Sequence, residues 1–182
     1  MTEEELEAKR LEEENEKINI KFALSPVSTN GALRNLTAEI PHWDFNKIRE
    51  ETKEKWNKEL SKIEVNTIND ADKINFYTAM YHTNLSPILY EDVDGKYRGL
   101  DQNIHNSDGF TNYTIFSLWD TYRALHPLFN ITQPERNNDM IKSMLAHHDE
   151  SVHNMLPIFL LVKAWLNIFL YVRIVGKTSL CY

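Results

Sequence analysis

The chain has a single cysteine, Cys181, in 182 residues, so no disulfide can close within it and the redox compartment is left open. Cations are also short: 20 Lys and Arg stand against 27 Asp and Glu, for a formal net charge of −7. No Lys/Arg cluster interrupts that acidic balance, which argues against a surface built to neutralise nucleic-acid phosphates. Residues 1–17, MTEEELEAKRLEEENEK, lack the apolar stretch of a signal peptide and read as a charged, solvated lead-in. Glycine is scarce, and three of the five, Gly95, Gly99 and Gly109, fall between residues 86 and 112. What is present is globular in kind: 42% hydrophobic and 26% charged residues, on a length sufficient for one domain with a real core.

Along the chain, Ile18, Ile20, Phe22 and Leu24 alternate with polar residues. That period predicts a half-buried strand over 18–24, with those four side chains facing a core. Ser25 to Pro41 is turn-rich and reads as a connection. Asp44 is placed to cap a helix running to about Ile63, whose stripe is Phe45, Ile48, Thr52, Trp56, Leu60 and Ile63. A second helix starts at Asp70 or Asp72 and runs to about Leu85, closed by Pro87; its His82 is expected as a core histidine. Residues 86–112 form a long loop. Within it, Asp92-x-Asp94-Gly95 is similar to the opening of a calcium loop but lacks the later ligands, so an Asp-Gly turn is the better reading.

The densest stretch follows. FSLWDTYRALHP, residues 116–127, predicts a third helix from about Thr114 to His126, ended by Pro127. It sets Asp120 beside Trp119 and one turn from Arg123. Such an acid and base in an apolar pattern form a local ion pair or the floor of a site, and the spacing alone leaves both open. Pro134, at the first position of a fourth helix with Glu135 in its first turn, opens a segment to about His148 with Met140, Ile141, Met144 and Leu145 inside. Two helices joined by so short a link make an αα-hairpin.

Taken in order, these pieces resemble glycoside hydrolase family 92, the calcium-dependent exo-acting α-mannosidases. FSLWDTYRALHP and QPERNNDMIKSMLA resemble its signature, Phe76 to Thr83 (FYTAMYHT) resembles its FYTALYHT, and Asp92 to Gly99 (DVDGKYRG) its DVDGxYRG. NLTAEI at 35–40, Trp43-Asp44-Phe45 and the segment from Trp56 to Ile63 fit as well, so that the likeness runs from about Ile18 to about Leu156. It implies a mainly α fold: the opening helices of an (α/α)6 barrel, preceded by one residual β-strand and a linker helix. On that basis residues 1–43 are a lead-in, the last strand of a missing β-sandwich domain and a connection. Residues 44–150 are the linker helix and the start of the helical glycosidase domain, and 151–182 a divergent apolar tail.

The resemblance also carries function. It implies release of terminal mannose from mannose-terminated glycans by calcium-assisted inverting hydrolysis, with no calcium ligands identified in this chain. Trp119 and Asp120 fall on the family's Trp-Asp that holds the terminal mannose. The chemistry suits them: an indole offers a flat face to sugar C–H groups, and a carboxylate accepts from vicinal hydroxyls. Family members are often exported. The family's catalytic acid lies in a Gly-Asn-Glu motif just past a Leu-Pro, its base much further on, and neither follows Leu156-Pro157 here. The expectation is therefore a chain without catalytic acid or base, whose tail resembles an altered reading frame or a truncated gene model. Leu156 to Val175 is long enough to span a bilayer, although Lys163, Asn167 and Arg173 interrupt it. Two other classes remain open, a non-catalytic helical interaction protein and a membrane-anchored fragment. The sequons at Asn35, Asn84, Asn112 and Asn130 read as chance matches in an Asn-rich chain.

Overall fold

In the computed structural model, residues 19–151 and the strand at 169–175 are described. The elements in order are β1 (Asn19–Ser25), α1 (Thr29–Glu39), α2 (Phe45–Leu60), α3 (Asp70–Thr83), β2 (Ile88–Leu89), β3 (Lys96–Arg98), β4 (Ile104–Asn106) and β5 (Tyr113–Thr114). They are followed by α4 (Leu118–Thr121), α5 (Leu125–Thr132), α6 (Pro134–Asp149) and β6 (Phe169–Val175). The described chain is mainly helical. The expectation of one residual strand is corrected to three two-stranded antiparallel ladders, β1–β6, β2–β5 and β3–β4.

The caps explain where the helices begin. Asp44 accepts from the Lys47 amide at 3.0 Å and starts α2, and Asn69 accepts from the Ala71 amide at 3.0 Å and starts α3. Pro134 sits in the first turn of α6, where its missing N–H costs nothing. The core lies where α5 and α6 meet β5. Phe116, Phe129 and Met140 are fully enclosed, with Leu100, Tyr113, Leu125 and Met144 packed around them. Enclosing each such side chain is worth roughly 1.5–3 kcal/mol.

Several expectations are corrected. The stretch expected as a connection contains α1, capped by Ser28, whose hydroxyl accepts from the Gly31 amide at 3.0 Å. Strand β1 falls where the period put it but turns the other way. Ile20, Phe22 (62% exposed) and Leu24 face out, while Lys21 and Ser25 are buried. The cause is polar anchoring: Lys21 Nζ donates to the Ile40 carbonyl at 2.8 Å and lies over the Trp43 ring, and Ser25 is tied to Asp92. The 86–112 loop is organised by short ladders rather than being structureless. His82 is exposed against Tyr81 instead of sitting in the core.

The expected 114–126 helix breaks into β5, a four-residue α4 and the start of α5. Pro127 does not end a helix. It occupies the first turn of α5, where no intrahelical donor is lost. Of the apolar tail, Phe169–Val175 is a strand paired with β1 from Asn19↔Val175 to Ser25↔Phe169, not part of a spanning helix. Residues 152–168, including the Leu156-Pro157 landmark, lie outside the described residues. Among the described residues no helix is long and apolar enough to cross a membrane.

Candidate functional site

The signature segments use their side chains in two opposite ways. DVDGKYRG turns inward. Asp92, 1% exposed, accepts from Ser25 Oγ at 2.7 Å on one oxygen and from Asn35 Nδ2 at 2.9 Å on the other. Asn35 also donates to the Leu24 carbonyl and accepts from the Val93 amide. The turn is a three-residue loop: the Gly95 amide donates to the Asp92 carbonyl and the Asp92 amide to the Lys96 carbonyl, both at 2.8 Å. Gly95 has φ +77°, the left-handed position such a loop reserves for glycine. Asp94 stays at the surface between Lys96 (2.9 Å) and Arg34 (3.0 Å). The Lys96 hydrogen bond, more than the charges around it, holds its carboxyl below the usual range. Arg98 donates to the carbonyls of Pro26, Val27 and Gln102.

QPERNNDM also turns inward. Arg136 donates to Asn84 Oδ1, to Gln133 Oε1 and to the carbonyls of Asn84 and Pro87, with its guanidinium over the rings of Tyr113 and Phe129. This clamps the start of α6 to the end of α3. Asn137 is buried between His126 and Asn130, and Met140 is core.

FSLWDTYR turns out. Ile115 has φ +64°, a conformation a β-branched residue holds only at a cost of roughly 1–3 kcal/mol. Past this bend Phe116 drops into the core at 1% exposure, while Trp119 stands 68% exposed with Asp120 exposed beside it. The local Asp120–Arg123 ion pair is not formed. Asp120 Oδ2 takes its hydrogen bond from Ser117 Oγ, and Arg123 donates to Tyr122 Oη while lying over the Tyr122 ring. Trp119 and Asp120 therefore sit together on the surface, next to the exposed ring of Tyr122. An indole face beside a carboxylate can hold a polyol by stacking and hydroxyl hydrogen bonds.

A second titratable cluster escaped the sequence reading. Tyr97 donates to Glu150 Oε1 at 2.6 Å, and burial raises the pKa of both groups. The Tyr97 ring also stacks on His105, which pairs with Asp101 at 3.0 Å. His147, 3% exposed between Tyr97 and Phe116, is pushed down to about 4 by burial. Its members come from a hairpin and from a helix end some fifty residues later, so no local spacing signals it. The described residues do not fit calcium. The oxygens of Asp92 are taken up inside the protein and Asp94 is flanked by two cations. Among the described residues no three His, Cys, Asp or Glu side chains are grouped to hold a metal.

The model of the glycosyl hydrolase family 92 catalytic domain matches residues 31–165. Among solved structures, a family GH92 alpha-mannosidase from Bacteroides thetaiotaomicron is similar at 52% identity over 74% of this chain, with a TM-score of 0.71. The same enzyme in complex with mannoimidazole matches at 50% identity over 78% of the chain, with a TM-score of 0.72. A GH92-family glycosyl hydrolase, ccman5, matches at 27% identity over 69%, with a TM-score of 0.64. This chain spans 18%, 19% and 17% of those three chains, respectively. No curated protein sequence matches it. With the family model covering most of the chain and half of the aligned residues identical to a solved member, the chain belongs to glycosyl hydrolase family 92.

Proposed function

We propose that these residues are the terminal-mannose-holding portion of a family 92 α-mannosidase, contributing opening helices to an (α/α)6 barrel. Trp119 would stack against the sugar and Asp120 accept hydrogen bonds from adjacent hydroxyls. One observation carries the reading: the polar residues of the DVDGKYRG and QPERNNDM segments are largely engaged within the fold, whereas Trp119 and Asp120 are offered to solvent. The solved relative whose complex contains mannoimidazole lends the substrate class. Titrating this chain with methyl α-mannoside, followed by the NMR shifts of its backbone amides, tests it. Saturable shifts should disappear in Trp119→Ala and Asp120→Ala while the melting midpoint is kept. Unchanged binding in both variants would refute the assignment.

Hydrolysis with inversion requires an acid and a base on opposite sides of the sugar, roughly 6.5–9.5 Å apart. The carboxylates nearest the signature segments have other occupations. Glu91 accepts from Ser107 and the Asn112 amide, Asp101 pairs with His105, and Glu150 holds Tyr97. On this reading the chain positions mannose without cleaving the glycoside. Lacking proton donation and water activation, it forgoes the ~10²–10⁴-fold that each typically supplies. The calcium that the resemblance implies takes its ligands from outside the described residues. A glycosidase assay with and without calcium should release no mannose. Calcium-dependent release abolished by Asp120→Ala would overturn this part of the proposal.

A further inference from the structure

We propose that Ser117 is a positioning residue that holds the Asp120 carboxylate in one orientation for a sugar hydroxyl, an inference that rests on the sugar-binding reading of Asp120. An exposed aspartate ordinarily moves among its χ1 rotamers. Among the described residues no cation pairs with Asp120, and Arg123 is engaged with Tyr122. Its single hydrogen bond among the described residues comes from Ser117 Oγ to Oδ2. Ser117 gives up another role to make that bond. It occupies the N-cap of α4, where a serine hydroxyl usually accepts from an amide two or three residues further on, yet it makes no side-chain cap bond. Its hydroxyl instead donates to a charged acceptor, which is the stronger kind of hydrogen bond.

The brace is fixed at its base. Residue 116 is locked in the core, and the Ser117 carbonyl accepts from the Asp120 and Thr121 amides at 3.0 and 3.1 Å and from Thr121 Oγ1 at 3.0 Å. Oδ2 is thereby occupied, and Oδ1 takes no hydrogen bond from the described protein. A carboxylate ordered before the sugar arrives pays less ordering entropy on binding. Immobilising one rotamer-rich side chain corresponds to roughly three- to tenfold in affinity.

Two readouts on the intact chain test this. In the wild type, χ1 couplings of Asp120 should report one rotamer. Ser117→Ala should average them and weaken methyl α-mannoside binding roughly three- to tenfold, with an unchanged melting midpoint. Ser117→Thr, which keeps the hydroxyl, should restore both. Averaged couplings in the wild type, or a Ser117→Ala variant unchanged in both readouts, would overturn the brace. A single rotamer lost in Ser117→Ala with no mannoside binding by any variant would overturn the sugar-binding reading, and with it the purpose assigned to the brace.

Discussion

Helices α2 and α6 have the same length, sixteen residues, and opposite fates. Helix α6 buries Asn137, Met140, Ser143 and His147 along one face, and three of those four are polar or ionisable. Ser143 accepts from the Tyr113 amide and shares its one proton between the Asp139 carbonyl at 2.7 Å and the Thr111 carbonyl at 3.2 Å, so the helix is laced to β5 as well as packed on it. Helix α2 buries nothing fully. Its Trp56 leans on Tyr81 of α3 at 4.6 Å between ring centroids. A regular apolar stripe announced α2, whereas α6 is the one of the two that is packed into the fold. Regularity of pattern and depth of packing are separate properties, because the first is local and the second depends on what the rest of the chain brings to the face.

Truncating each helix at its best-packed side chain should separate them most sharply. Met140→Ala should cost about 2–5 kcal/mol, the usual range for emptying an enclosed site. Trp56→Ala should cost about 1 kcal/mol, the worth of one partly exposed aromatic pair. Urea titrations of the two variants check this, and equal losses would erase the contrast.

Acid is the next lever on α6. His147 has its folded-state pKa depressed from 6.5 to about 4 by burial, so the unfolded chain binds the proton more readily. Stability is then complete above about pH 6.5 and is lost as pH falls toward 4, by up to about 3 kcal/mol. Glu150 works in the opposite sense: its raised pKa makes the folded state gain stability as the carboxyl protonates, so it offsets part of the loss. His147→Gln should flatten the pH 4–6.5 slope, measured as melting midpoint against pH. A slope unchanged by the substitution would mean that another group sets it.

The smallest expected effect, at Asp94, comes from comparing the two acids of the Asp92-Gly95 turn. Asp92→Ala strands the buried donors of Ser25 and Asn35 and should cost about 1–3 kcal/mol. Asp94→Ala removes only surface pairs with Arg34 and Lys96 and should cost about 0–1 kcal/mol. Thermal melts of the two single variants would show whether the turn is held from inside or from its rim.

The boundaries of α2, α3 and α6 were legible because the Asp44 cap, the acidic start at Asp70, Pro134 and the apolar periods all act within a few residues, although the Asn69 cap itself was not read. Helix α1 was not, since its inner face is built from Gly31, Ala32 and Asn35 as much as from Leu36, and three of those give a hydrophobic pattern little to show. The face of β1 was misread for a related reason. Alternation gives two sides of a strand, and the choice between them is made by Asp92, which lies 67 residues beyond Ser25. At the candidate site the residue types were readable and their direction was not. A left-handed Ile115 leaves no trace in composition, yet it is where the chain divides Phe116, facing in, from Trp119, facing out.

The pocket around Asp92 also constrains heredity. A Cβ added at Gly31 would stand 2.1 Å from Asp92 Oδ2 and 2.6 Å from Ser25 Oγ, far inside contact distance. Residue 31 can therefore gain a side chain only if its neighbours retreat, and residues 25, 35 and 92 cannot change singly without orphaning one another. Positions 25, 31, 35 and 92 should drift through the family as one character, changing together or not at all.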